Sequence, residues 1–224
     1  MTGKPYRLPE TAAKGSRIDR SRQMSFSFDG TKMTGFAGDT VASAVLASGR
    51  KVMGRSFKYH RPRGLIGLGS EEMNALIGVG EAGRKEPNLR ATQVELYDGL
   101  VATSQNRWPS LDFDIGIVNN NFSRLLPGGF YYKTFMWPRR FWESVYEPFI
   151  RNAAGLGEAP LELDPDTYEQ MHVHVDVLVV GGGVAGTAAA HAAVSSGKRV
   201  ILADENLVLG GVADISAGEI DGLS

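Results

Sequence analysis

The rhythm of hydrophobic and polar positions changes along this chain, and each rhythm predicts a different element. Between residues 24 and 36 the period is two: Met24-Ser25-Phe26-Ser27-Phe28, then Asp29-Gly30, then Lys32-Met33-Thr34-Gly35-Phe36. Alternation on both sides of Asp-Gly predicts a β-hairpin, because that dipeptide accepts the positive φ angles of a tight turn. Val41, Ala44 and Val45 then fall on one helical face, with Asp39 placed as N-cap and Gly49 as the stop. A hairpin with a helix packed across it is the opening of a β-grasp domain. Asn74 to Val79 predicts a further strand. Leu89 to Leu96 and Leu100 to Thr103, joined at Asp98-Gly99, predict a second hairpin that completes the unit near Thr103.

Farther on, Gly128 to Ile150 is crowded with aromatics, and Trp142, Val145, Tyr146 and Phe149 fall at helical spacing. This reads as a docking surface for a partner domain; a flavin or substrate pocket is the other reading. Leu156 to Gln170 is a linker with Pro160 and Pro165.

The last rhythm is a short β-branched run, Val175 to Val180, then Gly181-Gly182-Gly183-Val184-Ala185-Gly186, an alanine-rich stretch, and Arg199 to Glu205. Strand, glycine turn, helix, strand and acid in that order are the first βαβ half of a dinucleotide-binding fold. Gly181 permits the tight turn, Gly183 lets the backbone approach a pyrophosphate, and Gly186 lets the helix lie against the strand. Val184 and Ala185 open the helix whose N–H groups face the phosphates. Asp204 stands where an acid accepts from a ribose hydroxyl, with Glu205 the alternative. Gly210 and Gly211 follow, as in two-dinucleotide flavoprotein reductases. The motif alone does not separate FAD from NAD.

The chain on this reading is α+β followed by α/β. A basic arm (1–22) leads into the β-grasp, ferredoxin-like domain (23–104). A connecting segment (105–170) and the N-terminal part of a dinucleotide-binding domain (171–224) follow. Only about 50 residues remain after the glycine motif begins, where a domain usually needs ~100–150. The expectation is a piece of something larger, or a fold completed by another chain.

Composition narrows the function. A 42% hydrophobic and 22% charged chain of 224 residues is ordinary for a globular protein. The net charge of −1 offers no field for nucleic acid. No membrane partner is expected, since no run approaches the ~18 apolar residues of a membrane span. A polar N-terminus predicts a cytoplasmic location. There is no cysteine, hence neither a disulfide nor a thiolate. The basic loop Arg55 to Gly64 and the aspartates Asp112 and Asp114 read as solvated loop charges. His172 and His174 read as a strand lead-in rather than a metal pair.

Several motifs carry a resemblance: Gly54-Arg55-Ser56-Phe57-Lys58-Tyr59-His60-Arg61-Pro62-Arg63-Gly64, Asn106-Arg107-Trp108-Pro109-Ser110-Leu111, Phe130-Tyr131-Tyr132-Lys133-Thr134-Phe135-Met136-Trp137-Pro138 and Tyr146-Glu147-Pro148-Phe149-Ile150-Arg151. The chain resembles the alpha subunit of heterotetrameric sarcosine oxidase from about residue 15 onward. The resemblance implies a part in oxidative demethylation of sarcosine to glycine, with formaldehyde or methylene-tetrahydrofolate and hydrogen peroxide. It implies NAD at Gly181, Gly183, Gly186 and Asp204, FAD or FMN and folate elsewhere in the complex, and beta, gamma and delta subunits as partners. It offers no catalytic residue in this chain.

Cluster-bearing relatives set cysteines where this chain has Gly67, Glu72, Ala75 and Thr92, so a ferredoxin scaffold without an iron–sulfur cluster is expected. The alternatives are a subunit of a related N-methyl amino acid dehydrogenase, such as N-methylglutamate dehydrogenase, or a non-catalytic assembly module.

Overall fold

The computed structural model describes residues 6–10, 18–125, 137–148, 150, 157–206 and 208–211. It divides into two compact units, Met1–Asp166 and Thr167–Ser224.

The first unit is built on a five-stranded mixed sheet. Strands β1 (Asp19–Phe28) and β2 (Thr31–Ala37) form the hairpin that alternation predicts. Its turn residues take φ +50° at Asp29 and +74° at Gly30, the left-handed values such a turn needs. Helix α1 (Val41–Ala47) buries Val41, Ala42, Ala44 and Val45. Short strands β3 (Gly54–Arg55) and β4 (Pro62–Arg63) pair outside the main sheet. Strands β5 (Leu76–Val79), β6 (Glu86–Arg90) and β7 (Leu100–Ser104) complete it, in the order β2-β1-β7-β5-β6. β1 and β7 run parallel; the other neighbours are antiparallel. Phe28, Met53, Ile77, Leu96 and Leu100 are among the fully buried side chains of the apolar cluster between sheet and helix.

Several sequence expectations change here. The second predicted hairpin does not form: β6 pairs with β5, and β7 lies between β5 and β1. Residues 91–96 instead cross over α1, where Val41 N–H donates to the Val94 carbonyl and Leu96 N–H to that of Asp39. Burying Ala91 and Leu96 in the core outweighs the local turn signal. The N-cap of α1 is Thr40, in a capping box with Ser43. Asp39 is fully buried and serves a wider network, accepting from Phe36 N–H, Ser43 Oγ and the Arg7 guanidinium at 2.7 Å. Arg7 and a hydrogen bond from Tyr6 N–H to the Ala47 carbonyl dock part of the basic arm, and β1 starts within it at Asp19.

The loop charges also differ. Asp114 is buried and accepts from Gly116 N–H, with His60 Nδ1 2.9 Å from its other oxygen. Arg55 is buried too, donating to the carbonyls of Leu111 and His60. Both charges are taken up by long-range partners that a one-dimensional reading of a polar loop does not see.

In the aromatic stretch, Arg139–Phe141 forms a 3-10 turn and Trp142–Tyr146 a π-type turn. Phe130 to Phe135, Phe149 and Arg151 to Leu156 lie outside the described residues. Among the described residues, no helix is long and apolar enough to cross a membrane.

The second unit is smaller. Strand β8 (Val177–Val180), helix α2 (Val184–Ser195) and strand β9 (Val200–Ala203) form a βαβ hand, with β8 and β9 paired in parallel from Val177↔Val200 to Val180↔Ala203. Gly197, at φ +77°, ends α2 in the left-handed region. Arg199 closes the base of the pair through its N–H and guanidinium onto the Asp176 carboxylate.

Candidate functional site: the glycine corner

The corner between β8 and α2 is made by backbone alone. Gly181 takes φ +102°, a value that strains any residue with a Cβ, while its N–H stays in the sheet by donating to the Ala203 carbonyl at 2.8 Å. Gly183 is the N-cap of α2 and has no side chain with which to cap it. A Cβ built on Gly183 would meet nothing within 4 Å. The first turn of the helix therefore carries N–H groups with no side-chain cap at the positive end of its dipole. One turn in, a Cβ at Gly186 would overlap the Gly181 carbonyl oxygen. Only glycine lets the helix lie this close to the strand.

Asp204 follows the end of β9 and reaches back to the corner. One carboxylate oxygen accepts from Gly182 N–H, and the other from the backbone and side-chain N–H groups of Asn206. The Gly182 N–H, with the two Asn206 donors behind it, holds the Asp204 carboxyl below its ordinary value. Glu205 is exposed beside it. Val184 and Ala185 are exposed at the start of the helix.

The second glycine pair closes over the first. Gly210 N–H donates to the Gly182 carbonyl at 2.8 Å, and Gly183 and Gly210 form a parallel bridge. Gly210 and Gly211 take φ +121° and +56°, and a Cβ on Gly211 would come within 3.2 Å of Gly183 Cα. Gly181, Gly183, Gly186, Asp204, Gly210 and Gly211 are thus brought to one corner.

Sequence reading did not single out Asn206, which orients Asp204. The Asp-x-Asn spacing, a common side-chain-to-backbone turn, was the available signal. His172 and His174 are exposed, and no group of three potential metal ligands occurs among the described residues. Cavities of about 240 Å³, beside His60, Lys85 and Trp108, and about 210 Å³, beside Phe57, Met73 and Leu76, lie in the first unit.

Parts of the chain match known families. Residues 21–107 match the 2Fe-2S iron-sulfur cluster binding domain family, and residues 176–221 match the FAD dependent oxidoreductase family. Over 97% of its length the chain is 57% identical to the sarcosine oxidase subunit alpha of Rhizobium meliloti. It is 38% identical over 98% of its length to that of Corynebacterium sp. strain U-96. It spans 22% and 18% of those proteins. The crystal structure of L-proline dehydrogenase from P. horikoshii aligns with 88% of this chain and 28% of its own, at 19% identity and a TM-score of 0.40, too distant to carry an argument.

These matches correct one expectation. The sequence predicts a scaffold without an iron–sulfur cluster, yet residues 21–107 match a family of cluster-binding domains. The β-grasp fold is specified by its apolar core, so the identity of loop residues is no ground for setting the domain apart from that family. The residues present do not fit thiolate ligation, since the chain has no cysteine.

Proposed function

We propose that this chain, homologous over almost its whole length to sarcosine oxidase alpha subunits, is the dinucleotide-binding and assembly portion of an oxidoreductase subunit. The complex would act on the N-methyl group of sarcosine. Sarcosine would lose two electrons and two protons from its N–CH3 unit, and hydrolysis of the resulting imine would give glycine and formaldehyde. Oxygen would accept the two electrons and two protons as hydrogen peroxide. Further subunits are the partners implied. N-methylglutamate dehydrogenase, the runner-up by sequence, has no support of this kind among the relatives.

The observation that carries the binding role is the open Gly183 at the head of an uncapped helix, with Asp204 beside it. The match of residues 176–221 favours FAD as the dinucleotide. The flavin, when bound, supplies a two-electron acceptor. The chain's own residues would do the holding. The N–H groups at the start of α2 would receive the pyrophosphate, and Gly183 would allow the close approach. Asp204 would accept from a ribose hydroxyl, its carboxylate kept ionised by Gly182 and Asn206.

The test is to denature the purified protein and identify the released nucleotide by chromatography. FAD near one equivalent supports the reading, and NAD would keep the corner but change its cofactor. Neither nucleotide, even after incubation with both, would sink the binding role. Peroxide formed on adding sarcosine to the assembled complex, and not on adding N-methylglutamate, tests the substrate.

A further inference from the structure

The loop at residues 66–75 of the first unit is held in an unusual way. Its large apolar side chains are not packed: Ile66, Leu68 and Met73 are 66%, 71% and 67% exposed. Hydrophobic burial is therefore not what fixes the conformation of this segment. Its backbone N–H groups converge instead on carboxylates of the same segment. One oxygen of Glu72 accepts from Ile66 N–H at 2.7 Å and Gly67 N–H at 2.9 Å. The other accepts from Asn74 N–H at 2.6 Å and Ala75 N–H at 3.2 Å. Glu71 accepts from Leu68 and Gly69.

The packing around this network shows that the chain is built to it. Glu72 is fully buried, which is costly for a charge unless its lone pairs are all met. A Cβ at Gly67 would lie 2.6 Å from Glu71 Oε1, and a Cβ at Gly54 would lie 2.6 Å from the Asn74 carbonyl. The loop is pinned from outside as well. Thr92 Oγ1 donates to the Gly69 carbonyl, Ala91 N–H to that of Ala75, and Arg90 Nε to that of Glu72. Gly67, Glu72, Ala75 and Thr92 are the positions at which the sequence resemblance sets cysteines.

We propose that residues 66–75 form a backbone receptor for a carboxylate, that Glu72 is its built-in occupant, and that this internal anion fixes the loop. Successive N–H groups around a concavity are a general anion-binding arrangement. Here the anion is covalently attached, so it is present at any ligand concentration. It follows that a receptor emptied by mutation takes a small free monocarboxylate.

The experiment uses the full chain and amide hydrogen exchange read at residues 66, 67, 74 and 75. In Glu72→Ala these amides should exchange about 100-fold faster, as expected for losing hydrogen bonds to a charged acceptor. Formate or acetate should restore protection saturably, chloride at equal ionic strength should not, and the original protein should respond to neither. Unchanged protection in Glu72→Ala, or recovery that follows ionic strength alone, overturns the proposal. Glu72→Gln covers the case in which the alanine variant fails to fold. Its amide keeps one acceptor oxygen and turns N–H toward N–H at the other, so one pair of amides should lose protection while the other keeps it. Protection retained at both pairs overturns the proposal.

Discussion

The two units handle their apolar side chains in opposite ways. In the first, every member of the buried cluster lies between Phe26 and Leu111, and the sheet, α1 and the crossing segment 91–96 close around it. In the second, no side chain in α2 is buried, and along β8 Leu178 and Val180 are 59% and 81% exposed. A parallel pair is stable when both faces are covered, and a two-stranded sheet has little to bury by itself. The first unit is therefore a finished core, whereas the second is a finished corner on an unfinished sheet. What is complete in the second unit is the backbone geometry of the glycine turn, which depends on contacts within a few residues of itself.

The largest expected effect tests the finished core. Phe28 is fully buried, so Phe28→Ala should cost about 3–5 kcal/mol. The melting temperature of the first unit should fall by roughly 2–4 °C for each kcal/mol lost. Hydrogen exchange in the original protein should give the same contrast directly, with slow amides in β1, β5 and β7 and nearly unprotected amides after about residue 170. Slow exchange throughout β8 and α2 would mean that the second sheet is covered after all.

The next effect belongs to the corner. Gly186→Val puts a branched side chain where even a Cβ overlaps the Gly181 carbonyl. Strand and helix must separate, and the positions of the phosphate-facing N–H groups shift with them. Nucleotide recovered from the denatured protein should fall at least about tenfold, as for losing ~1.4 kcal/mol of binding. The melting of the first unit should not change. Equal loading of variant and original protein would detach the glycine spacing from the binding role.

How much of this was legible depended on how local each determinant is. The first hairpin was readable because alternation and Asp29-Gly30 act within a dozen residues. The glycine corner was readable for the same reason. The partners of β6 and β7 were not, because Asp98-Gly99 looks like a hairpin turn while the outcome turns on burying Leu96 beside the start of α1 and Leu100 in β7 between β1 and β5. His60 with Asp114 and Arg7 with Asp39 join residues far apart in sequence, and no spacing rule reaches them. Glu72 was noticed only as a position lacking cysteine; its role emerges when the four N–H groups are seen around it.

A smaller effect comes from acid. Burial works to raise the Glu72 carboxyl, but the N–H donors of Gly67, Asn74, Ile66 and Ala75 outweigh it, and the group sits below its ordinary value of 4.5. A group whose folded value is depressed stabilises the fold fully above its unfolded value and loses that contribution as pH falls through the folded one. The first unit should therefore weaken only below about pH 4.5, and loop 66–75 should loosen before β1 and β7 do. Glu72→Gln should flatten that part of the acid profile. An unaltered profile would detach the acid sensitivity from Glu72.

The smallest expected effect sharpens the contrast from the other side. Leu178 is 59% exposed, so Leu178→Ser removes a side chain that is already more than half in water. Substitutions at such positions usually lie within about 0.5 kcal/mol of neutral, and the melting curve and nucleotide content should both stay as they are. An exposed leucine on a bare parallel strand is nevertheless the kind of position that a covering element would bury. If Leu178→Ser instead lowers stability by about 2 kcal/mol or more, the scale of a buried apolar side chain, the face is covered in solution. The sedimentation behaviour of the variant would then tell a self-associated cover, which the serine disrupts, from one supplied within the same chain.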